Sequence, residues 1–499
     1  MTSSRSRTVV VLAAGEGKRM KSALPKVLHP LLGRTLVGHV LAAAGGLEAQ
    51  RTLVVVGHGA DQVTAHLAEV APAAEPVLQA VQHGTGHAVR IAIEAAGDVG
   101  DTVVVLNGDV PLLRPETVRD LVEAHEAAGL GATVLAAEVA DPTGLGRIVR
   151  DESGRLERIV EERDATAEQR AIREINAGIY AFDGALLRAA LGKLSTDNDQ
   201  GEEYLTDVFG LLATDGRPVG VHVAADATET LGCNDRAELA GLRALLRDRV
   251  NRAWMRAGVT FLDPATAWVD VTVVLERDVV VDQNTQLRGT TSVAAGAAVG
   301  PDTTLVDSAV GAGASVVRAH VVGAEVGPDV AVGPYAYLRP GTRLARKSKV
   351  GTFVEVKNSE IGEGTKVPHL SYVGDATIGE QSNIGAASVF ANYDGTHKNR
   401  TVIGSYVRGG VDTMYVAPVE VGDGAYTGAG TVVREDVPPG SLAVSAGAQR
   451  TFEGWTERKR PGTASAEAAA RARVARGETS HDGDDGGRAG LTSGDTATE

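Results

Sequence analysis

The chain has 499 residues, 43% hydrophobic and 23% charged, enough for roughly two to four domains of an ordinary globular protein. Its 49 Lys and Arg stand against 64 Asp and Glu, and the formal net charge of −15 argues against a nucleic-acid partner. The single cysteine, Cys233, excludes an intrachain disulfide framework and a cysteine-based zinc cluster, and fits a cytoplasmic protein.

The first eight residues, MTSSRSRT, precede only a short apolar run and make a poor signal peptide. No stretch offers about 20 uninterrupted apolar residues, so no membrane span is expected. From residue 8 to about 236, Val-rich runs ("RTVVVL", "RTLVVVG", "DTVVVLNGD") alternate with stretches such as "PETVRDLVEAHEAAG". That rhythm predicts strand, helix, strand and a largely parallel sheet. Ligands of such sheets sit at the carboxyl ends of strands, here the loops beginning at Gly15, Gly57 and Asn107.

In "LAAGEGKRM" a strand runs into Gly15 and Gly17, whose backbone could approach a phosphate while Arg19 supplies a forked cation. The pattern is neither a P-loop nor a good dinucleotide fingerprint, and the glycines alone leave phosphate binding and a structural turn both open. Lys26, after Pro25, brings a second cation to the loop. Lys18 has no evident role.

Residues 234 to 257 carry Leu239, Leu242, Leu246 and Val250 at helical spacing, which predicts an amphipathic connecting helix. Beyond it aliphatic residues recur every six positions. Val299 and Leu305 form one phase, and Val310, Val316 and Val322 another. Val326, Val332, Leu338, Leu344, Val350 and Val356 form the longest series, resumed by Ile361, Val367 and Val373. This period belongs to parallel β-helices. "ANYDGTHKN", 391 to 399, interrupts the period and should project as a loop. From Pro461 the chain has 4 basic and 7 acidic residues and almost no large apolar side chains, so disorder is expected.

"LAAGEGKRMKSALPKVL" resembles the signature of sugar-phosphate nucleotidyltransferases, and "LQAVQHGTGHA" and "VVVLNGDVPLL" match further elements in order. With the hexapeptide half, residues about 7 to 459 resemble the bifunctional bacterial family that unites the UDP-N-acetylglucosamine pyrophosphorylase (N-acetylglucosamine-1-phosphate uridylyltransferase) and glucosamine-1-phosphate N-acetyltransferase activities. The resemblance implies an α/β nucleotidyltransferase domain, Rossmann-like with a mostly parallel sheet, followed by a left-handed parallel β-helix of hexapeptide repeats. The expected boundaries are 1–236 for the uridylyltransferase domain, 237–258 for the linker helix, 259–459 for the acetyltransferase domain and 460–499 for the tail. The implied product, UDP-N-acetylglucosamine, is a precursor of peptidoglycan and other cell-envelope polymers.

Carried over by motif, the resemblance implies a UTP site at Leu12, Ala13, Ala14, Gly15, Arg19 and Lys26, with Gln79, Gly84 and Thr85 near the base. Asp109 and Asn234 match the Mg²⁺ ligands, although each alone would read as a turn residue. Gly146, Glu161, Asn176, Glu202, Tyr204 and Thr206 match positions that hold N-acetylglucosamine 1-phosphate, and Asn234 belongs to that group as well.

In the second half His369 matches the general base, a role that a lone histidine would not suggest over a structural one. Arg339, Lys357, Tyr372, Asn383, Asn392 and Lys398 match contacts to glucosamine 1-phosphate. Acetyl-CoA is expected along the coil near Ala386, Asn392, Tyr393, Gly404, Val411 and Ala429, in a homotrimer whose projecting loop serves a neighbouring subunit. Two departures stand out: Val411 replaces a family serine, and Ala446 a residue that is basic in some members, for which Arg434, Arg450 or Lys459 could substitute. Trp455 is expected to pack against the cofactor. Rival readings are a nucleotidyltransferase making another nucleotide sugar, and a scaffold with dead sites; His369 with "NYDGTHK", and Arg19, Lys26, Asp109 and Asn234, argue against them.

Overall fold

Strand β1 (Arg7–Ala13) shows why the first half folds as it does: Val9, Val10 and Val11 are all fully buried, so both faces of the strand are covered. Val9 and Val11 join Val54, Val104 and Leu106 in one core, while Val10 joins Leu53, Val55, Val103 and Val105 in the other. The structure, a computed structural model, describes residues 5–445, 447 and 449–477.

After β1 come the short hairpin strands β2 (Pro30–Leu31) and β3 (Arg34–Thr35), then β4 (Arg51–Val56), β5 (Ala74–Leu78) and β6 (Thr102–Asn107). They are followed by β7 (Ala132–Glu138), β8 (Gly146–Arg150), β9 (Leu156–Val160), β10 (Glu174–Asp183) and β11 (Val219–Val223). The main sheet runs β11-β7-β10-β6-β1-β4-β5, with β8 paired to β10 and β9. β6, β1, β4 and β5 are parallel, as the alternating pattern predicts, whereas β10 is antiparallel to both β6 and β7. Helix Pro115–Ala128 starts on a proline and stops at Gly129 with φ +59°, the expected limits of "PETVRDLVEAHEAAG".

Helix Arg236–Arg256 is capped by Asp235, whose carboxylate accepts from the Ala237 and Glu238 N–H groups. Its Leu239, Leu242 and Leu246 pack with Met20, Leu31, Leu32, Leu36 and Leu112. The hairpin tip also bonds forward, since Val271 N–H donates to the Leu32 carbonyl at 3.0 Å.

From Thr260 the chain coils into three parallel sheets of 7, 10 and 9 strands, a parallel β-helix. Each hexapeptide aliphatic residue belongs to the next sheet in turn, so residues three repeats apart stack: Val332 on Val350, Leu338 on Val356. The six-residue series is buried as expected, with one correction: Val321, not Val322, points into the core, because the corner between Val316 and Ala319 is shorter by one residue. Residues 393–398 leave the coil as an exposed loop closed by an antiparallel bridge between Tyr393 and Lys398.

The chain divides into one unit up to Val444 and another from Ser445. Against the expectation of disorder from 460, Ala464–Ala475 forms a helix capped by Thr463. Its alanines and arginines are strong helix formers, and low apolar content does not oppose a local helix. Residues 478–499, the rest of that tail, and Ala446 lie outside the described residues.

Candidate active sites

The first site forms where β1, β4 and β6 end. Gly17 takes a left-handed φ of +63°, and a Cβ there would lie 2.7 Å from the Lys26 Cβ, so glycine lets Lys26 close against the loop. Lys26 Nζ then reaches Asp109 Oδ2 at 2.5 Å, both side chains being largely buried. Gly15 faces open space, and Arg19 is exposed with no side-chain partner among the described residues. Lys18 pairs with Glu16 at 3.0 Å, a solvent-exposed contact that gives it a local partner. Leu12 and Ala13 belong to β1, and the Ala14 carbonyl accepts from His58 N–H and from Gln82 Nε2.

Gln79, buried, donates to the Gly84 carbonyl at 3.3 Å and meets His87 Nδ1 at 3.1 Å. Gly84 has φ +102°, and a Cβ there would strike the Glu203 carbonyl at 2.5 Å and Glu202 Cβ at 2.9 Å. The two loops are laced together, with Glu203 N–H donating to His83 and Leu205 N–H donating to Thr85 Oγ1. The Thr85 hydroxyl therefore holds the second loop.

Beyond these loops, Thr206 Oγ1 donates to Glu161 Oε1 at 3.2 Å, and the Gly146 position lies against both Glu161 and Asn176. Burial lifts the Glu161 carboxyl above its usual range against the opposing Thr206 bond. Asn176 donates to Tyr180 OH, and Tyr204 OH accepts from Gln200. Gly146, Glu161, Asn176 and Thr206 thus form one cluster, with Glu202 and Tyr204 on its adjoining loop.

The two residues expected to face a divalent cation are Asp109 and Asn234. Cys233 N–H donates to the Asp109 carbonyl at 3.0 Å, which ties "GCND" to the end of β6. Among the described residues no group of three His, Cys, Asp or Glu side chains could hold an ion. Two hard oxygens fit Mg²⁺, which commonly takes its remaining ligands from phosphates and water.

The second site lies on the β-helix. Lys357 Nζ donates to Asp375 Oδ2 at 3.0 Å, Asn358 Nδ2 donates to Asp375 Oδ1 at 2.7 Å, and Asn392 Nδ2 also donates to Oδ2. The bond from Asp375 raises the Lys357 ammonium; Lys398 is close enough to contribute. One coil earlier, Arg339 pairs with Glu355 at 2.9 Å, and Glu355 stacks directly under Tyr372. The Tyr372 ring folds over Gly374, where a Cβ would lie 2.3 Å from its hydroxyl. Asn383 is on a neighbouring sheet, bridged to Lys366 and Arg408, and is not joined to the Lys357 group.

His369 is exposed at a corner of the coil, its ring without a hydrogen-bond partner among the described residues. Ala387 N–H donates to the His369 carbonyl, Asp412 N–H to Ala386, and Gly430 N–H to Val411. His369, Ala386, Val411 and Ala429 therefore mark successive coils along one edge. The adjoining Gly385 and Gly410 have no room for side chains, since a Cβ on Gly385 would lie 2.1 Å from the Gly410 carbonyl oxygen. In the projecting loop Asp394 accepts from Thr396, His397 and Asn399, and the Tyr393 hydroxyl donates to Gly395.

Residues 9–260 match the MobA-like NTP transferase domain. The Bifunctional protein GlmU of Streptomyces coelicolor is 62% identical over 471 residues, 94% of this chain and 98% of that protein. Proteins of the same name from Streptomyces avermitilis and Thermobifida fusca are each 61% identical, covering 94% and 95% of this chain and 98% and 99% of their own. The chain belongs to the bifunctional GlmU family.

Within this GlmU-family chain, sequence reasoning missed Asp375, the acid on which Lys357, Asn358 and Asn392 converge. The "VGD" that contains it reads as one more repeat corner, and only its burial, at 8% exposure, sets it apart. Gln82 and Glu203, which lace the nucleotide-side loops, were also missed; their clue was position beside Gln79 and Glu202. No helix among the described residues is long and apolar enough to cross a membrane.

Proposed function

We propose that this chain catalyses two steps of UDP-N-acetylglucosamine synthesis, acetylating glucosamine 1-phosphate with acetyl-CoA and then transferring UMP from UTP to N-acetylglucosamine 1-phosphate. The observation that carries the proposal is the presence on one chain of both residue groups: Lys26 with Asp109 beside the Gly15–Gly17 loop, and Lys357 with Asn392 near the edge headed by His369.

In acetyl transfer the amine of glucosamine 1-phosphate attacks the thioester carbonyl, the C–S bond breaks, and the amine proton passes to His369 and on to the departing thiolate, releasing coenzyme A as thiol. Lys357, Arg339, Tyr372, Asn383 and Lys398 hold the sugar phosphate. Acetyl-CoA runs along the edge marked by Ala386, Val411 and Ala429, with Asn392 and Tyr393 at the loop base. Asn383 and Lys357 occupy different sheets of the coil, an arrangement that suits a homotrimer in which adjacent copies complete each site.

In uridylyl transfer an oxygen of the sugar phosphate attacks the α-phosphorus of UTP and pyrophosphate departs. Arg19 and Lys26 offset phosphate charge, Gln79, Gly84 and Thr85 flank the base, and Leu12 to Gly15 line the nucleotide loop. Gly146, Glu161, Asn176, Glu202, Tyr204, Thr206 and Asn234 orient the sugar. Asp109 and Asn234 would hold Mg²⁺, which supplies charge neutralisation on the phosphates when bound. The product supports cell-wall synthesis, and the cytoplasm is the proposed location.

The test incubates purified protein with glucosamine 1-phosphate, acetyl-CoA, UTP and Mg²⁺ while free thiol and pyrophosphate are followed separately. Both should appear, thiol first. Pyrophosphate formed only from pre-acetylated sugar, with no thiol release, would sink the bifunctional reading.

A further inference from the structure

Three polar side chains from two parts of the β-helix meet at one buried carboxylate. Lys357 and Asn358 come from one coil, Asn392 from the base of the projecting loop, and Asp375 stands between them at a corner with φ +50°. Its two oxygens take three side-chain donors, and its backbone N–H and C=O bond to Lys357 and Thr401. We infer that Asp375 is a positioning residue for acetyl transfer, fixing both the Lys357 ammonium and the orientation of the Asn392 amide. The inference rests on the acetyltransferase reading of this site.

Counting donors and acceptors fixes the Asn392 amide. An ionised carboxylate can only accept, so Asn392 must turn its Nδ2 toward Asp375. The Asn392 Oδ1 then has no partner among the described residues and remains an acceptor. A neutral primary amine has two N–H donors and one lone pair. If one N–H is held by Asn392 Oδ1, the lone pair is directed away from it, as attack on a thioester requires. Lys357 has two further N–H groups beyond the one given to Asp375, enough to hold a phosphate. Asp375 thus sets a cation for the phosphate on C1 and, beside it, an acceptor for the amine on the neighbouring C2.

Replacement by asparagine keeps the shape and removes the logic. The amide introduced by Asp375→Asn could turn its N–H against the Lys357 ammonium, which has nothing to accept it, or donate it to Asn392 Oδ1, and the Asn392 amide would no longer have one preferred direction. In Asp375→Asn, thiol release from acetyl-CoA with glucosamine 1-phosphate should fall about 100-fold in kcat, the scale expected of a misplaced reactant. KM for glucosamine 1-phosphate should rise while KM for acetyl-CoA stays. Asp375→Glu, which keeps the acceptor on a longer arm, should recover part of the rate.

The same full-length protein supplies its own control, because pyrophosphate release from UTP and N-acetylglucosamine 1-phosphate does not involve this carboxylate. That rate should be unchanged in both variants. An Asp375→Asn protein with wild-type acetyl transfer would overturn the inference. So would a loss that follows only the folded fraction, with both KM values unmoved and Asp375→Glu no better than Asp375→Asn. If the unmodified protein releases no thiol, the acetyltransferase reading itself fails, a result distinct from either of these.

Discussion

Lys26 Nζ lies 2.5 Å from Asp109 Oδ2, so a cation from the glycine loop and a carboxylate from the end of β6 form a single unit. Neither group is isolated in sequence reading or in space: Gly17 admits the lysine, and Cys233 holds the strand end that carries the aspartate.

Removing either partner strands the other charge in a largely buried place. Lys26→Ala and Asp109→Asn should each lower pyrophosphate release by about 100-fold or more, while thiol release in acetyl transfer stays normal. Because the residues touch, the double variant should lose less than the product of the single losses. Additive losses would show that the pair does not act as a unit.

Gly17→Ala tests the approach itself. The added methyl meets Lys26 Cβ at 2.7 Å in a left-handed backbone conformation, so a loss of roughly 1–2 kcal/mol is expected from strain. KM for UTP should rise as Lys26 is displaced. A thermal melt together with UTP titration separates the two effects, and an unaltered KM would mean the loop adjusts without moving the lysine.

Val411 stands on the edge between Ala386 and Ala429, 55% exposed, with only its backbone engaged. Val411→Ser should therefore fold normally. It restores a hydroxyl near the proposed thioester path, and acetyl transfer is expected to rise by about threefold, within the net worth of one hydrogen bond. An unchanged rate would show that the missing hydroxyl is unimportant.

Acid should destabilise the first half of the chain through two buried histidines. Burial drives His39 and His125 each down to about 4, His39 against a bond to the Leu31 carbonyl and His125 against nearby carboxylates. Both are neutral in the folded and unfolded states well above pH 6.5. As pH falls toward 4 the unfolded state takes up protons first, so stability is lost across that window, on the order of 2–3 kcal/mol per group. Denaturant midpoints at pH 7 and pH 4.5 provide the measurement, and His125→Gln, able to keep a bond to Thr133, should flatten the slope.

Periodicity exposes much of the architecture because burial repeats with the chain: the Val runs of β1, β4 and β6 mark a sheet covered on both faces, and the six-residue series marks a coil. Spacing alone slips by one residue at Val321, because a shortened corner leaves no mark in composition. The helix Ala464–Ala475 escapes the sequence reading for a related reason, since low hydrophobicity speaks about cores and not about local backbone preference. At the candidate sites, loop residues such as Lys26 and Asp109 stand out by motif. Asp375 does not, because its meaning comes from donors 17 and 18 residues away that only coiling brings together.

The hairpin tip at Leu32 and Gly33 has a bearing on where the protein can be divided. Val271 bonds to Leu32, and Gly33 sits so close to Asp270 that a methyl there would fall 2.8 Å from its Cβ. Meanwhile Leu239, Leu242 and Leu246 of the connecting helix complete a cluster begun by Met20, Leu31 and Leu36. A cut before that helix, which looks natural in the linear sequence, would leave an oily scar on the first fragment and an unclad helix on the second. A break after Arg256 fails from the other side, since Val250 and Trp254 pack against the core of the first coils and Asn251, fully buried, donates to the Pro264 and Ala267 carbonyls, so the helix is shared by both halves.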